Sequence, residues 1–248
     1  MSKVVLITGA SRGIGAQTAL LAANQGYDIC VNYYKEQRAA EKIVNEIQEQ
    51  GVKAIAVAAD VSDEKQVKHL FKTVDQELGT LTALVNNAGI LFSQMPLVAM
   101  DADRLNRLFA INVTGSFLCA REAIKRMSID VGGKGGSIVN LSSMAARLGS
   151  PNEYIDYAAS KGAIDTMTIG LSKEVASQGI RVNSVRPGLI NTDIHASGGD
   201  PGRVERLKAS LPMQRGGEPD EVAKAILWLL SEEASYTTGS FIDVSGGR

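Results

Sequence analysis

The chain has 248 residues, a formal net charge of -1, 44% hydrophobic residues and 21% charged ones. That length suits one large α/β domain or two small ones, with roughly 70% of the unfolded surface available for burial. The balanced charge argues against a nucleic-acid surface, and no segment approaches the ~18 apolar residues of a membrane span. The opening MSKVVLITGA is interrupted too soon by glycine and polar residues for a signal peptide, so a soluble, cytoplasmic protein is expected. Cys30 and Cys119 form no CxxC, and His69 and His195 stand far apart, so no metal site is expected.

In chain order, a first strand over residues 4–8 runs into the loop TGASRGIG. Gly9 permits a tight turn there, Gly13 lets backbone approach a diphosphate, and Gly15 lets the following helix lie close to the strand. The same letters, from Gly9 through Ser11 to Gly13, also read GxSxG, the nucleophile elbow of an esterase. An elbow normally follows several strands, whereas this loop follows the first.

The second strand, over 28–33, ends Asn32-Tyr33-Tyr34-Lys35 with no carboxylate to bind ribose hydroxyls; Glu36 opens a helix over 36–50. Arg12 in the glycine loop adds a cation. Together these features favour NADP(H) over NAD, with Asn32 and Tyr33 at the cofactor's adenosine end. A third strand over 54–58 leads to Asp60 and Val61, where the carboxylate can accept from an adenine amino group. A helix over 63–78, starting at Ser62, and a fourth strand over 81–86 follow, and Asn87-Ala88-Gly89 leaves room along the sheet's edge.

A helical stretch over 101–127 holds Asn112. GGKGG at 132–136 is a flexible turn into a fifth strand over 137–141, which ends at Ser142 and Ser143. A helix over 157–178 begins YAASK, and residues four apart share a helix face, so Tyr157 and Lys161 point the same way. An ammonium beside a phenol lowers its pKa by about 1–3 units, which makes Tyr157 a workable acid or base near neutral pH. A sixth strand over 181–185 and a seventh over 241–244 flank a loop over 191–202, placed as a lid within a substrate segment of about 191–215. Short, doubly covered strands alternating with helices predict a single-domain Rossmann fold over 1–248: a doubly wound, seven-stranded parallel sheet with helices on both faces.

TGASRGIG, NNAG, LSS, YAASK and RPG occur in the order and at the spacing of the short-chain dehydrogenase/reductase family, which the chain resembles from end to end. The resemblance implies a catalytic tetrad of Asn112, Ser143, Tyr157 and Lys161, with Ser143 rather than Ser142 facing the site and Asn112 holding a relay water. It also implies that Lys161 binds the nicotinamide ribose, that Pro187 and Gly188 pack beside the nicotinamide, and that Ile190 and Thr192 hold its carboxamide. Gly9, Ser11, Arg12 and Ile14 match the phosphate loop, Asp60 and Val61 the adenine site, and Asn87, Ala88 and Gly89 the wall beneath it.

The implied activity is hydride transfer between NADP(H) and a carbonyl or alcohol. The substrate is left open between a 3-oxoacyl thioester, a sugar such as glucose and a xenobiotic ketone. A non-catalytic dinucleotide sensor is the alternative of a different class. A homotetramer is also implied, with helices 101–127 and 157–178 pairing across one interface and FIDVSGGR contributing to another. Two departures stand out: Thr82 replaces the common Asp, and the stretch between Ser143 and Tyr157, carrying Asn152, Glu153 and Tyr154, is one residue longer than in many acyl-carrier-protein reductases.

Overall fold

The computed structural model describes residues 3–248. Seven strands, β1 (Lys3–Ile7), β2 (Tyr27–Tyr33), β3 (Ala54–Ala58), β4 (Ala83–Asn86), β5 (Gly136–Leu141), β6 (Ile180–Pro187) and β7 (Phe241–Val244), form one sheet in the order β3-β2-β1-β4-β5-β6-β7. Every pairing is parallel. The strands are apolar at odd and even positions because both faces are covered. Val5 and Ile7 enter one core and Val4 and Leu6 the other. Helices α1 (Gly13–Ala23), α2 (Gln37–Gln48) and α10 (Pro219–Leu230) seal the first face, and α3 (Glu64–Glu77), α5 (Gly115–Met127) and α7 (Ile155–Glu174) the second. Fully burying a side chain such as Phe71 or Leu70 contributes about 1.5–3 kcal/mol.

Several expected boundaries shift for local reasons. Ser62 does not start α3. Asp63 caps it, accepting from the backbone of Lys65 and Gln66, while the Ser62 hydroxyl donates to Asp60. Leu81 and Thr82 precede β4, and Thr82 Oγ1 accepts from Val4 N and donates to Val4 O, both at 3.0 Å, clasping β1 in place of a carboxylate. The single helix expected over 101–127 is α4 (Ala102–Phe109), one π-helical turn (Ala110–Thr114) and α5. The loop after β6 contains two short helices, α8 (Ile194–Ser197) and α9 (Arg203–Leu207). Another short helix, α6 (Ala145–Leu148), precedes α7. Gly26, Gly51, Gly79 and Gly179 have φ between 74° and 95°, as expected of left-handed stops.

The chain passes from β1 outward to β3, then returns to place β4 on the other side of β1. The loops leaving β1 and β4 therefore diverge above the sheet, and ligands of open α/β folds bind in such a crevice.

Candidate active site

The glycine loop forms one side of this crevice. Gly9 and Gly13 have φ of +61° and +58°. A Cβ on Gly9 would lie 2.9 Å from Ala88 Cα, and one on Gly15 would lie 2.5 Å from Asn87 Nδ2 and 2.8 Å from Gly9 O. The loop is thus pressed against the turn after β4. Asn87 Nδ2 donates to Thr8 O and Gly9 O at 2.8 and 2.9 Å, while the Asn87 and Ala88 amides both donate to Thr8 Oγ1. Asn32 braces the loop from below: its Oδ1 accepts from Gly9 N, and its Nδ2 contacts the carbonyls of Tyr33, Val57 and Ala59. Asn32 is buried, and its amide is fully engaged in this bracing. Helix α1 opens at Gly13 with no side-chain cap, so its first amides are free to meet an anion.

At the neighbouring tip of β2 the charges are positive. Arg12 and Arg38 have no carboxylate partner among the described residues, and the Lys35 ammonium lies 5.0 Å from the centroid of the exposed Tyr34 ring. Asp60 receives Ser62 N, Ser62 Oγ and Arg107 Nη2 at 2.9, 2.6 and 2.8 Å. Burial opposes its charge, but these hydrogen bonds more than offset that and lower its pKa. Val61 is buried against Gly115, where a Cβ would lie 2.7 Å from it.

Across the sheet, β5 delivers two adjacent serines to different tasks. Ser142 is buried and donates to Lys161 O at 3.2 Å, whereas the half-buried Ser143 hydroxyl accepts from Ala145 N at 3.1 Å and lines one cavity with Tyr157. Helix α7 carries Tyr157 and Lys161 one turn apart, with the ammonium 5.5 Å from the ring centroid. Lys161 Nζ donates to Leu141 O at 2.6 Å. The π turn brings Asn112 to the same place. Its Oδ1 accepts from Ile90 N at 2.8 Å, and its Nδ2 donates to Ile90 O and Ser160 Oγ at 3.1 and 3.2 Å. Asn112 and Lys161 converge at Gly89, where a Cβ would sit 3.5 Å from Asn112 Oδ1 and 3.7 Å from Lys161 Nζ. Single π turns recur at functional sites because they re-aim one side chain within a helix.

The ionisation of the pair differs from the expectation. Burial pushes the Tyr157 phenol up to about 12, opposed by its hydrogen bond to Ser143. Burial draws Lys161 down to about 8, opposed by the Asp165 carboxylate. Desolvation dominates at both groups, and Tyr157 holds its proton at neutral pH.

One cavity of about 150 Å³ is lined by Ser143, Tyr157 and Lys161 together with Ile14, Asn87, Gly89, Pro187, Gly188, Ile190 and Thr192. Thr192 faces the glycine loop: a Cβ on Gly13 would lie 3.5 Å from its methyl. Gly188 abuts the C-terminal strand turn, where a Cβ would lie 2.8 Å from Ser245 Cα. Arg203, Arg248 and Leu91 also line the cavity. Nothing in their sequence context singled them out, because each is brought in by packing from a distant loop. The same is true of Arg104, whose Nε donates to the buried Asp156, immediately before Tyr157, at 2.7 Å. A carboxylate–arginine pair 52 positions apart has no sequence signature.

A family profile described as Enoyl-(Acyl carrier protein) reductase matches residues 9–248. The chain belongs to the short-chain dehydrogenase/reductase family. It is 60% identical over 245 residues to the uncharacterized oxidoreductase YgfF of Escherichia coli, covering 99% of each chain. It is 37% identical over 247 residues to the 3-oxoacyl-[acyl-carrier-protein] reductase FabG of Staphylococcus aureus, covering 100% of this chain and 98% of that one. Acetoin dehydrogenase from Enterobacter cloacae superposes with a TM-score of 0.88 at 33% identity, covering 100% of this chain and 95% of the other. The chain is an oxidoreductase of this family, with the Rossmann-like fold that its sequence predicts.

Proposed function

We propose that this short-chain dehydrogenase/reductase is an NADP(H)-dependent carbonyl reductase. One observation carries the reading: Ser143, Tyr157 and Lys161 line a single cavity that also reaches the glycine loop through Ile14 and the turn from Pro187 to Thr192. A nicotinamide dinucleotide fits the crevice. The glycine loop leaves no space for side chains at Gly9 and Gly15, and the α1 terminus is open to a diphosphate. Arg12, Lys35 and Arg38, with no carboxylate at the β2 tip, favour a 2′-phosphate.

When bound, the nicotinamide supplies the hydride that reduces the carbonyl carbon. Tyr157 donates its proton to the carbonyl oxygen, and its raised pKa keeps that proton available at neutral pH. The Ser143 hydroxyl, in the same cavity as Tyr157, holds the same oxygen. Lys161, mostly protonated at pH 7, stabilises the phenolate that proton transfer leaves behind. Asn112 fixes the Ile90 backbone beside Lys161 and orders the water through which Tyr157 is reprotonated. Alcohol oxidation follows the same path in reverse.

The substrate is a small carbonyl compound. FabG and acetoin dehydrogenase, named above, mark two directions that a panel separates. The test is NADPH and NADH consumption with acetoacetyl thioester, diketones, hydroxyketones and aldoses. Turnover with NADPH that falls by about 10²-fold or more in Tyr157→Phe is expected. An unchanged rate in that variant, or a clear preference for NADH, overturns the corresponding part of the reading. No turnover with any carbonyl would leave a dinucleotide-binding sensor.

A further inference from the structure

Two side chains lining the cavity have no part in proton transfer. His195 and Arg203 border the space that holds Ser143 and Tyr157, with only 9% and 6% of their surfaces exposed. His195 Nδ1 and Arg203 Nη1 are each buried without a hydrogen-bond partner. The remaining polar atoms show what these two can accept or donate. His195 Nε2 lies 2.9 Å from Ile190 O; a carbonyl only accepts, so Nε2 carries the proton. Burial lowers the His195 pKa, the Ile190 hydrogen bond opposes this, and the Arg203 charge lowers it further. The ring is therefore neutral at pH 7, and Nδ1 presents a bare lone pair. Arg203 Nη2 donates to Glu153 Oε2 at 2.5 Å, and its guanidinium lies 4.8 Å from the Tyr154 ring centroid. Its Nη1 is 3.9 Å from Asp200 Oδ2, beyond hydrogen-bond reach.

An unpaired acceptor and an unpaired donor in one reacting cavity are both costly and rare. A hydroxyl group complements them, because its O–H donates to the imidazole lone pair while its oxygen accepts from the guanidinium. A carboxylate would set acceptor oxygens against the Nδ1 lone pair, and a hydrocarbon would leave both atoms unpaired. We propose that His195 and Arg203 recognise a hydroxyl group carried by the substrate in addition to its reacting carbonyl. The chain then reduces small hydroxylated ketones or aldehydes and, in reverse, oxidises the corresponding diols. This proposal rests on the carbonyl-reductase reading. Both atoms are buried at the ends of the segment from His195 to Arg203, which Tyr154 Oη meets at Gly198 O (3.4 Å), and binding of the hydroxyl requires this segment to shift.

The test compares kcat/KM for 3-hydroxybutan-2-one and butan-2-one with NADPH. A hydroxyl also activates its neighbouring carbonyl, so the diagnostic quantity is the change in this ratio on substitution. The wild-type ratio is expected to be about 100-fold or more and to fall at least about tenfold in both His195→Leu and Arg203→Lys. A ratio unchanged in both variants overturns the proposal. An independent arm follows the His195 Nδ1 resonance by ¹⁵N NMR as butane-2,3-diol is added to the wild-type enzyme with NADP⁺. A shift with the diol and none with butan-2-one supports the site, and no shift with the diol overturns it. If the resonance shifts while no carbonyl consumes NADPH, the hydroxyl site stands and the reductase reading fails. If ketones turn over but neither the ratio nor the resonance responds, the reductase reading stands and the hydroxyl site fails.

Discussion

Burial draws Lys161 down to about 8 while Asp165 opposes it, and burial pushes Tyr157 up to about 12 while Ser143 opposes it. Below pH 8 the lysine is charged and the tyrosine protonated, the state that can donate a proton and then stabilise the phenolate left behind. Above pH 8 the lysine loses its charge while the tyrosine remains protonated, so the stabilising ammonium is lost first. For carbonyl reduction, kcat/KM is therefore expected to be flat from about pH 6 to 7.5 and to fall about tenfold per pH unit above about 8. Lys161→Arg, whose guanidinium does not titrate in this range, should move that limb beyond the measured range. A wild-type profile flat to pH 10 would contradict the assignment. The same shift affects stability. Lys161 titrates at 10.5 when unfolded and near 8 when folded, so its burial cost applies in full below pH 8 and fades as pH rises toward 10.5. The YAASK and LSS motifs pointed to these residues in the sequence, and the fold brings Ser143, Tyr157 and Lys161 to one cavity. The direction of the phenol's shift was not legible, because a four-residue spacing reveals the neighbouring charge but not how deeply both groups lie.

At the scale of elements, the alternation of short apolar runs and helices was sufficient for the sheet, because both faces of each strand must be covered. The π turn was not readable. Residues 102–127 have continuous helical character, and the break exists because Asn112 is held by Ile90 and Ser160, neither close in sequence. Helix α10 had a local signature that could have been read, with Pro219 at its start and a reciprocal cap between Glu218 and Glu221. The tip of β2 carries the cofactor expectation. Asn32 is drawn inward to brace the glycine loop, so on the NADP(H) reading proposed above the exposed cations around it are the groups left to meet a 2′-phosphate. Arg12→Ala should raise KM for NADPH by about tenfold or more while changing KM for NADH much less, the scale of one charge-assisted hydrogen bond. Equal effects on both cofactors would show that Arg12 contacts the shared diphosphate instead.

At the scale of the whole molecule, the outer face of α5 and α7 is a groove lined by Phe117, Leu118, Ile124, Met167 and Leu171. Phe117 is 51% exposed and Ile169, nearby on α7, is 44% exposed. Ala163 and Gly170 keep α7 smooth; a Cβ on Gly170 would meet nothing within 4 Å, so a partner helix has room for close approach. Arg121, Lys125 and Glu174 border the groove with the apolar side chains. The two helices also carry the site, since α5 continues from the Asn112 turn and α7 begins beside Tyr157. We therefore expect the chain to self-associate through this face and to depend on it for catalytic geometry. Phe117→Glu places a charge in the centre of the contact. Light scattering should show a smaller assembly at micromolar concentration, with unchanged far-ultraviolet circular dichroism. Specific activity should fall in step with dissociation and recover as protein concentration rises, because mass action restores the pairing. An assembly of unchanged mass in this variant would place the interface elsewhere, and a fully active monomer would show that α7 holds Tyr157 in position without a partner.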